Sequence, residues 1–158
     1  MKRPATFVVL PDEGKAIRGP VGGPAIIKAS TEDTGGTFAL VENVIPPGEG
    51  PPLHVHKRED EMWYVLEGHL RFRTDEQLLE APAGSFVFVP RGTAHSLHNP
   101  GKEPVRVLVM FTPSGMERFF EQLADLPAGP VDPARYQAMA KNNWMEVVGP
   151  PLAQSHPL

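Results

Sequence analysis

The 158-residue sequence contains no cysteine. Disulfides, thiolate metal sites and a cysteine nucleophile are therefore all excluded, and residence in a reducing cytoplasm is expected. No apolar run approaches the ~20 residues that a membrane span requires. Met1-Lys2-Arg3 resembles a signal n-region, but the apolar stretch behind it is only Phe7 to Leu10 and stops at Pro11, too short for a signal core. There is no basic excess: 15 Lys and Arg stand against 19 acids, a net charge of −4, which argues against a nucleic-acid partner. What the chain has in abundance is 19 Pro and 15 Gly. They punctuate short apolar runs, as turns between many short strands do. The length suits a single domain, 1–158.

Strand candidates are Thr6–Leu10, Ala25–Ala29, Thr37–Ile45, Leu53–Lys57, Glu61–Leu66, Leu70–Arg73, Gln77–Glu80, Phe86–Val89, Ala94–Leu97 and Val105–Thr112. This regular alternation of strand and turn reads as an all-β sandwich or barrel, with its core over about 36–112. From Ser114 the apolar period lengthens. Ser114 and Glu117 have capping-box spacing, and Met116, Phe119, Phe120 and Leu123 follow on one helical face expected to pack on the barrel or close one end. Asp132-Pro133 opens a second short helix, which places a helical segment over about 114–142. Trp144 to Val148 reads as extended, and the Pro-rich tail from Gly149 as surface.

The chemistry concentrates in Gly48 to Gly68, GEGPPLHVHKREDEMWYVLEG. On a strand, the period of two puts His54 and His56 on one face, and Glu61 returns on the next strand. A further metal ligand must come from elsewhere, and His95 in GSFVFVPRGTAHSLHN is the evident donor. Imidazoles with one carboxylate suit divalent first-row metals, and four such ligands leave an octahedral ion two open positions. Trp63 and Val65 share the parity of Glu61 and are expected to line an interior pocket. Met62, Tyr64 and Leu66 face outward, toward a covered surface such as a homodimer interface. Glu59 and Asp60 lie in a KRED run that reads as a solvated loop. His98, three residues after His95, should point away from the metal, and His69 and His156 should be exposed.

The two segments read G-x5-H-x-H-x4-E-x6-G (Gly48, His54, His56, Glu61, Gly68) and G-x5-P-x-G-x2-H-x3-N (Gly84, Pro90, Gly92, His95, Asn99), fifteen residues apart. They resemble the two motifs of the cupin superfamily, complete and in order, with the compact spacing of small bacterial cupins. The resemblance implies an antiparallel double-stranded β-helix, the jelly-roll barrel, in which His54, His56, Glu61 and His95 converge on one divalent transition metal (Fe, Mn, Ni, Co, Cu or Zn). It implies turn dihedrals at Gly68 and Gly92, and a turn or barrel-mouth role for Asn99. The block PPLHVHKREDEMWYVLEGHLRF and the aromatic-rich segment after the last strand are similar to the single-domain quercetin dioxygenase-like cupins. That likeness implies an oxidoreductase acting on a flavonol-like or other enolisable aromatic with dioxygen, Glu61 serving as ligand and general base. The alternatives are a metal-dependent isomerase or decarboxylase, and a non-catalytic small-molecule-binding cupin, since one barrel hosts many chemistries.

Overall fold

A computed structural model describes residues 3–75 and 77–155. In chain order the elements are β1 (Lys15–Arg18), β2 (Pro24–Ala29), α1 (Thr31–Thr34), β3 (Ala39–Ile45), β4 (Pro52–His56), β5 (Asp60–Glu67), β6 (His69–Thr74), β7 (Gln77–Pro82), β8 (Phe86–Val89), β9 (His95–His98), β10 (Val105–Thr112), α2 (Glu117–Ala124), α3 (Pro133–Asn142), β11 (Met145–Pro151) and α4 (Leu152–Ser155). They form two antiparallel sheets, ordered β1-β2-β3-β10-β5-β8 and β11-β4-β9-β6-β7. Among the described residues no helix is long and apolar enough to cross a membrane.

Alternation along the central strands sets the inner face. Val105, Val107, Val109 and Phe111 of β10 are buried, while Arg106, Leu108, Met110 and Thr112 between them are only half-buried. Its neighbours behave alike: Ala39, Val41, Asn43 and Ile45 of β3, and Glu61, Trp63 and Val65 of β5, point inward. The opposing sheet adds Leu70, Phe72 and Leu97 to the same core. Each fully buried Val or Phe side chain contributes roughly 1.5–3 kcal/mol. Two turns depend on glycine: Gly68 (φ 88°) and Gly92 (φ 83°) occupy left-handed conformations that a side chain would strain. Asn99 fastens the segment after β9, donating to the Ile45 and Glu103 carbonyls at 3.0 and 2.7 Å and accepting from the Gly101 amide.

Several expectations are corrected. Thr6–Leu10 is not a strand; Phe7, Val8 and Leu10 are exposed, and the Leu10, Pro11 and Glu13 carbonyls accept from the Lys28 ammonium. Ser114 does not cap α2, whose N-cap is Met116 without a side-chain bond. The Glu117 carboxylate instead accepts from the Gly115 amide and from the amide and hydroxyl of Thr31. The capping box is at Ser30 and Asp33 of α1, an element that sequence reasoning missed, as it missed β1. The extended segment near Trp144 is β11, which pairs with β4. The tail is not wholly surface: Leu152 of α4 is fully buried, and α4 packs on β9. His156 lies outside the described residues.

Candidate metal centre

β4 belongs to one sheet and β5 to the other, so their inward residues meet across the interior. His54 and His56 come from β4; His95 comes from β9, directly opposite His54 in the ladder. Glu61 comes from β5, where it faces Val89 and Phe111. Nitrogen atoms of the three imidazoles and a Glu61 oxygen all lie within 4.8 Å of one another, and all four residues are buried.

The ring orientations are fixed from behind. His54 Nδ1 donates to the Pro52 carbonyl at 2.8 Å and His95 Nδ1 to the Thr93 carbonyl at 3.0 Å. Both rings therefore present Nε2 to the centre, the second partner that orients a ligating histidine. At the centre, the Nε2 atoms of His54 and His56 are 3.2 Å apart, and Glu61 Oε2 lies 2.5 Å from His95 Nε2 and 3.6 Å from His56 Nε2. Three imidazole nitrogens and one carboxylate oxygen at these separations fit a small divalent cation of the first row.

The electrostatics favour the protonation states that such a cation needs at His54 and Glu61, and oppose the one it needs at His95. Burial holds the His54 imidazole well below its ordinary value, with help from His95 and His56, so this ring is neutral. Burial pushes the Glu61 carboxyl up, but His56 and His95 outweigh it and hold the group well below the usual carboxylate range. Burial also works against the charged form of His95, yet the Glu61 charge and hydrogen bond raise it overall.

Beside these donors is a chamber of about 40 Å³. Trp63 lines it together with Phe111, Phe119, Phe120 and Tyr136; Val65 is fully buried in the core and is not among the lining residues. Three polar atoms on the chamber's residues are buried without a hydrogen-bond partner: Asn43 Oδ1, His56 Nδ1 and Trp63 Nε1. Burial pushes the Tyr136 phenol upward, so it is neutral.

The α2 face both packs on the barrel and closes this chamber, with Phe119 and Phe120 as wall. Glu59 is not solvated. It is 1% exposed and paired with Arg58 at 2.8 Å; burial raises its carboxyl, and its Oε2 has no partner. Asp60 binds Arg91 at the surface. His98 is 2% exposed and outside the cluster, whereas His69 is exposed and pairs with Glu80.

Asn43 and Tyr136 were missed as chamber residues. Asn43 had a signal, because it holds the inward parity of Ala39, Val41 and Ile45 in an otherwise apolar series. Tyr136 is on α3, with no local pattern that marks it.

Two antiparallel sheets closed around a buried three-histidine, one-glutamate cluster define a β-barrel with an internal cluster able to bind a metal ion. Residues 41–111 match the profile of the Cupin domain family, which makes this part of the chain a cupin domain. It is 31% identical over 113 residues to quercetin 2,3-dioxygenase of Bacillus subtilis, a match covering 72% of this chain and 33% of that protein. The chain thus spans about a third of that relative's length. Among solved structures it resembles KdgF from a Halomonas species (TM-score 0.62, 20% identity, 71% of this chain and 99% of that one). It also resembles a predicted oxalate decarboxylase from Thermotoga maritima (TM-score 0.58, 24% identity, 68% and 99%). Both likenesses support the double-stranded β-helix fold.

Proposed function

We propose that this protein is a metal-dependent dioxygenase acting on an enolisable substrate, flavonol-like or another aromatic that carries a metal-binding hydroxyl. The observation that carries this reading is the convergence of His54, His56, His95 and Glu61 within 4.8 Å beside a mostly apolar chamber. The named activity of the Bacillus relative supports it. A divalent ion held by these donors would supply Lewis acidity that lowers the pKa of the substrate hydroxyl. Glu61 is ionised and accepts the hydroxyl proton. Phe111, Phe119 and Phe120 exclude water, and Trp63 offers a flat face to an aromatic ring.

The chamber restricts what enters. At about 40 Å³ it is far below the roughly 300–1,000 Å³ of ordinary ligand sites, so a whole flavonol does not fit inside. Oxygen uptake by metal-loaded protein with quercetin and 3-hydroxyflavone tests the reading. Consumption no greater than that of a His54→Ala variant counts against both substrates.

The small chamber favours a second reading, an isomerase or decarboxylase that acts on a compact acid without oxygen. Turnover under strictly anaerobic conditions would select it. A homodimer is part of the proposal: Tyr64, Phe86 and Phe88, adjacent on β5 and β8, are 43%, 63% and 54% exposed on the outer face. Sedimentation at the monomer mass would refute that pairing.

A further inference from the structure

Outside the chamber lies a second cavity of about 570 Å³, a size typical of ligand sites. The two share Pro20, Val21, Pro51 and Tyr136 as walls, so these four residues form the boundary between them. The chamber by itself holds little more than a water or two. A ligand that reaches the donors must therefore leave most of its bulk in the outer cavity.

The outer cavity carries a positioned cation. Arg18, at the end of β1, donates from Nη2 to the Leu123 and Leu126 carbonyls at 3.0 and 2.8 Å, which fixes the guanidinium against the end of α2. Arg58, Arg71, Arg91, Arg106 and Arg118 each pair with a carboxylate, but no acidic side chain pairs with Arg18 among the described residues. Its Nε and Nη1 keep donors to spare, each able to make a single charge-assisted bond to a carboxylate. Glu49 also lines the cavity, but it is exposed, where solvent screens its charge.

We propose that the ligands of this protein are two-part acids: a compact oxygen-bearing head passes the Pro20/Val21/Pro51/Tyr136 boundary to the four donors, and a body bearing a carboxylate stays in the outer cavity against Arg18. The assignment of the head rests on the proposed function; the assignment of the body does not.

Matched probes test it. Kojic acid and comenate share a hydroxypyranone head and differ chiefly in a hydroxymethyl against a carboxylate. 3-Hydroxyflavone and its 4′-carboxylate form a longer pair. Dissociation constants are measured by calorimetry on the zinc-loaded and metal-free protein at pH 7. The charged member of at least one pair should bind about tenfold more tightly than the neutral one. Arg18→Gln should abolish that preference while leaving kojic acid binding to the loaded protein unchanged. Arg18→Lys, which keeps the charge without the guanidinium's spare donors, should retain part of it, and it carries the comparison if Arg18→Gln does not fold. Equal binding within both pairs, or a preference that survives Arg18→Gln, overturns the assignment of Arg18. Neutral probes that bind the loaded protein no better than the metal-free protein overturn the head, and with it the functional reading. A charge preference lost in Arg18→Gln would still stand in that case.

Discussion

Gly50 offers the sharpest test of how the strands hold the cluster together. A Cβ built there would lie 1.9 Å from the Leu97 carbonyl oxygen and 2.9 Å from both the Leu97 carbonyl carbon and the His98 Cα, all of them backbone atoms of β9. An ordinary carbon–oxygen contact is above about 3 Å, so Gly50→Ala must push the segment before β4 away from β9 by more than about 1 Å. The two strands are aligned only at His54 and His95, whose ring centroids are 4.3 Å apart. The displacement is therefore felt at the donors. Overpacking against immovable backbone costs about 3 kcal/mol, which for this length lowers Tm by roughly 6–12 °C. Misaligned ligands should weaken zinc binding by at least about tenfold. Gly48→Ala is the control, because nothing lies within 4 Å of its Cβ position. Its cost is the strain of φ 77° alone, about 1 kcal/mol, with zinc affinity unchanged. Thermal denaturation and competitive zinc titration read both quantities. A Gly50→Ala protein that melts with the Gly48→Ala control and binds zinc like the wild type would refute the reasoning.

Other outcomes follow from the same structure. The metal-free protein should be most stable near pH 6.5: the lowered His54 loses stability as pH falls below 6.5, and the raised His95 loses its Glu61-linked stability as pH climbs above 6.5; a Tm profile flat across that range would contradict this. Zinc should reverse the alkaline side of that profile, because the ion displaces the His95 proton, and a titration in two buffers of different ionisation enthalpy should reveal about one proton released near neutrality. Glu59→Gln should raise Tm by a few degrees at pH 7, since burial penalises the charged carboxylate, and the gain should shrink as pH falls toward 4.5; a lower Tm would mean the Arg58 pair outweighs burial. Leu152→Ala should cost about 2–5 kcal/mol by thermal denaturation, whereas a side chain on a loose tail would cost almost nothing.

The sequence was most legible where chemistry fixes spacing. His54 and His56 share a face because strands alternate, and turn glycines bracket the segment that carries them, so the strand arrangement of the motif could be read without coordinates. It was least legible where an element exists only through a partner. β1 has Ile17 as its sole large apolar residue and is defined by its ladder with β2. Thr6–Leu10 has the β-branched composition of a strand but no ladder, and the Leu10 carbonyl that a neighbour would use is bound to Lys28. Ser114 and Glu117 have the spacing of a capping box, yet the glutamate reaches across to Thr31, a contact 86 residues distant that no local pattern encodes. Glu59 looked hydrated because its neighbours are charged; its parity with Glu61 and Trp63 along the chain was the better guide to its burial.

That reach of Glu117 has a mechanical consequence. One carboxylate ties the first residue of α1, the Gly115 amide and the opening turn of α2, and the same helix carries Phe119 and Phe120 over the donors. The roof above the reactive centre is thus hinged on a threonine far from every ligand in the chain. Removing the Thr31 hydroxyl would take away one of the two bonds that hold this carboxylate to α1, loosening the roof while leaving each donor atom chemically intact.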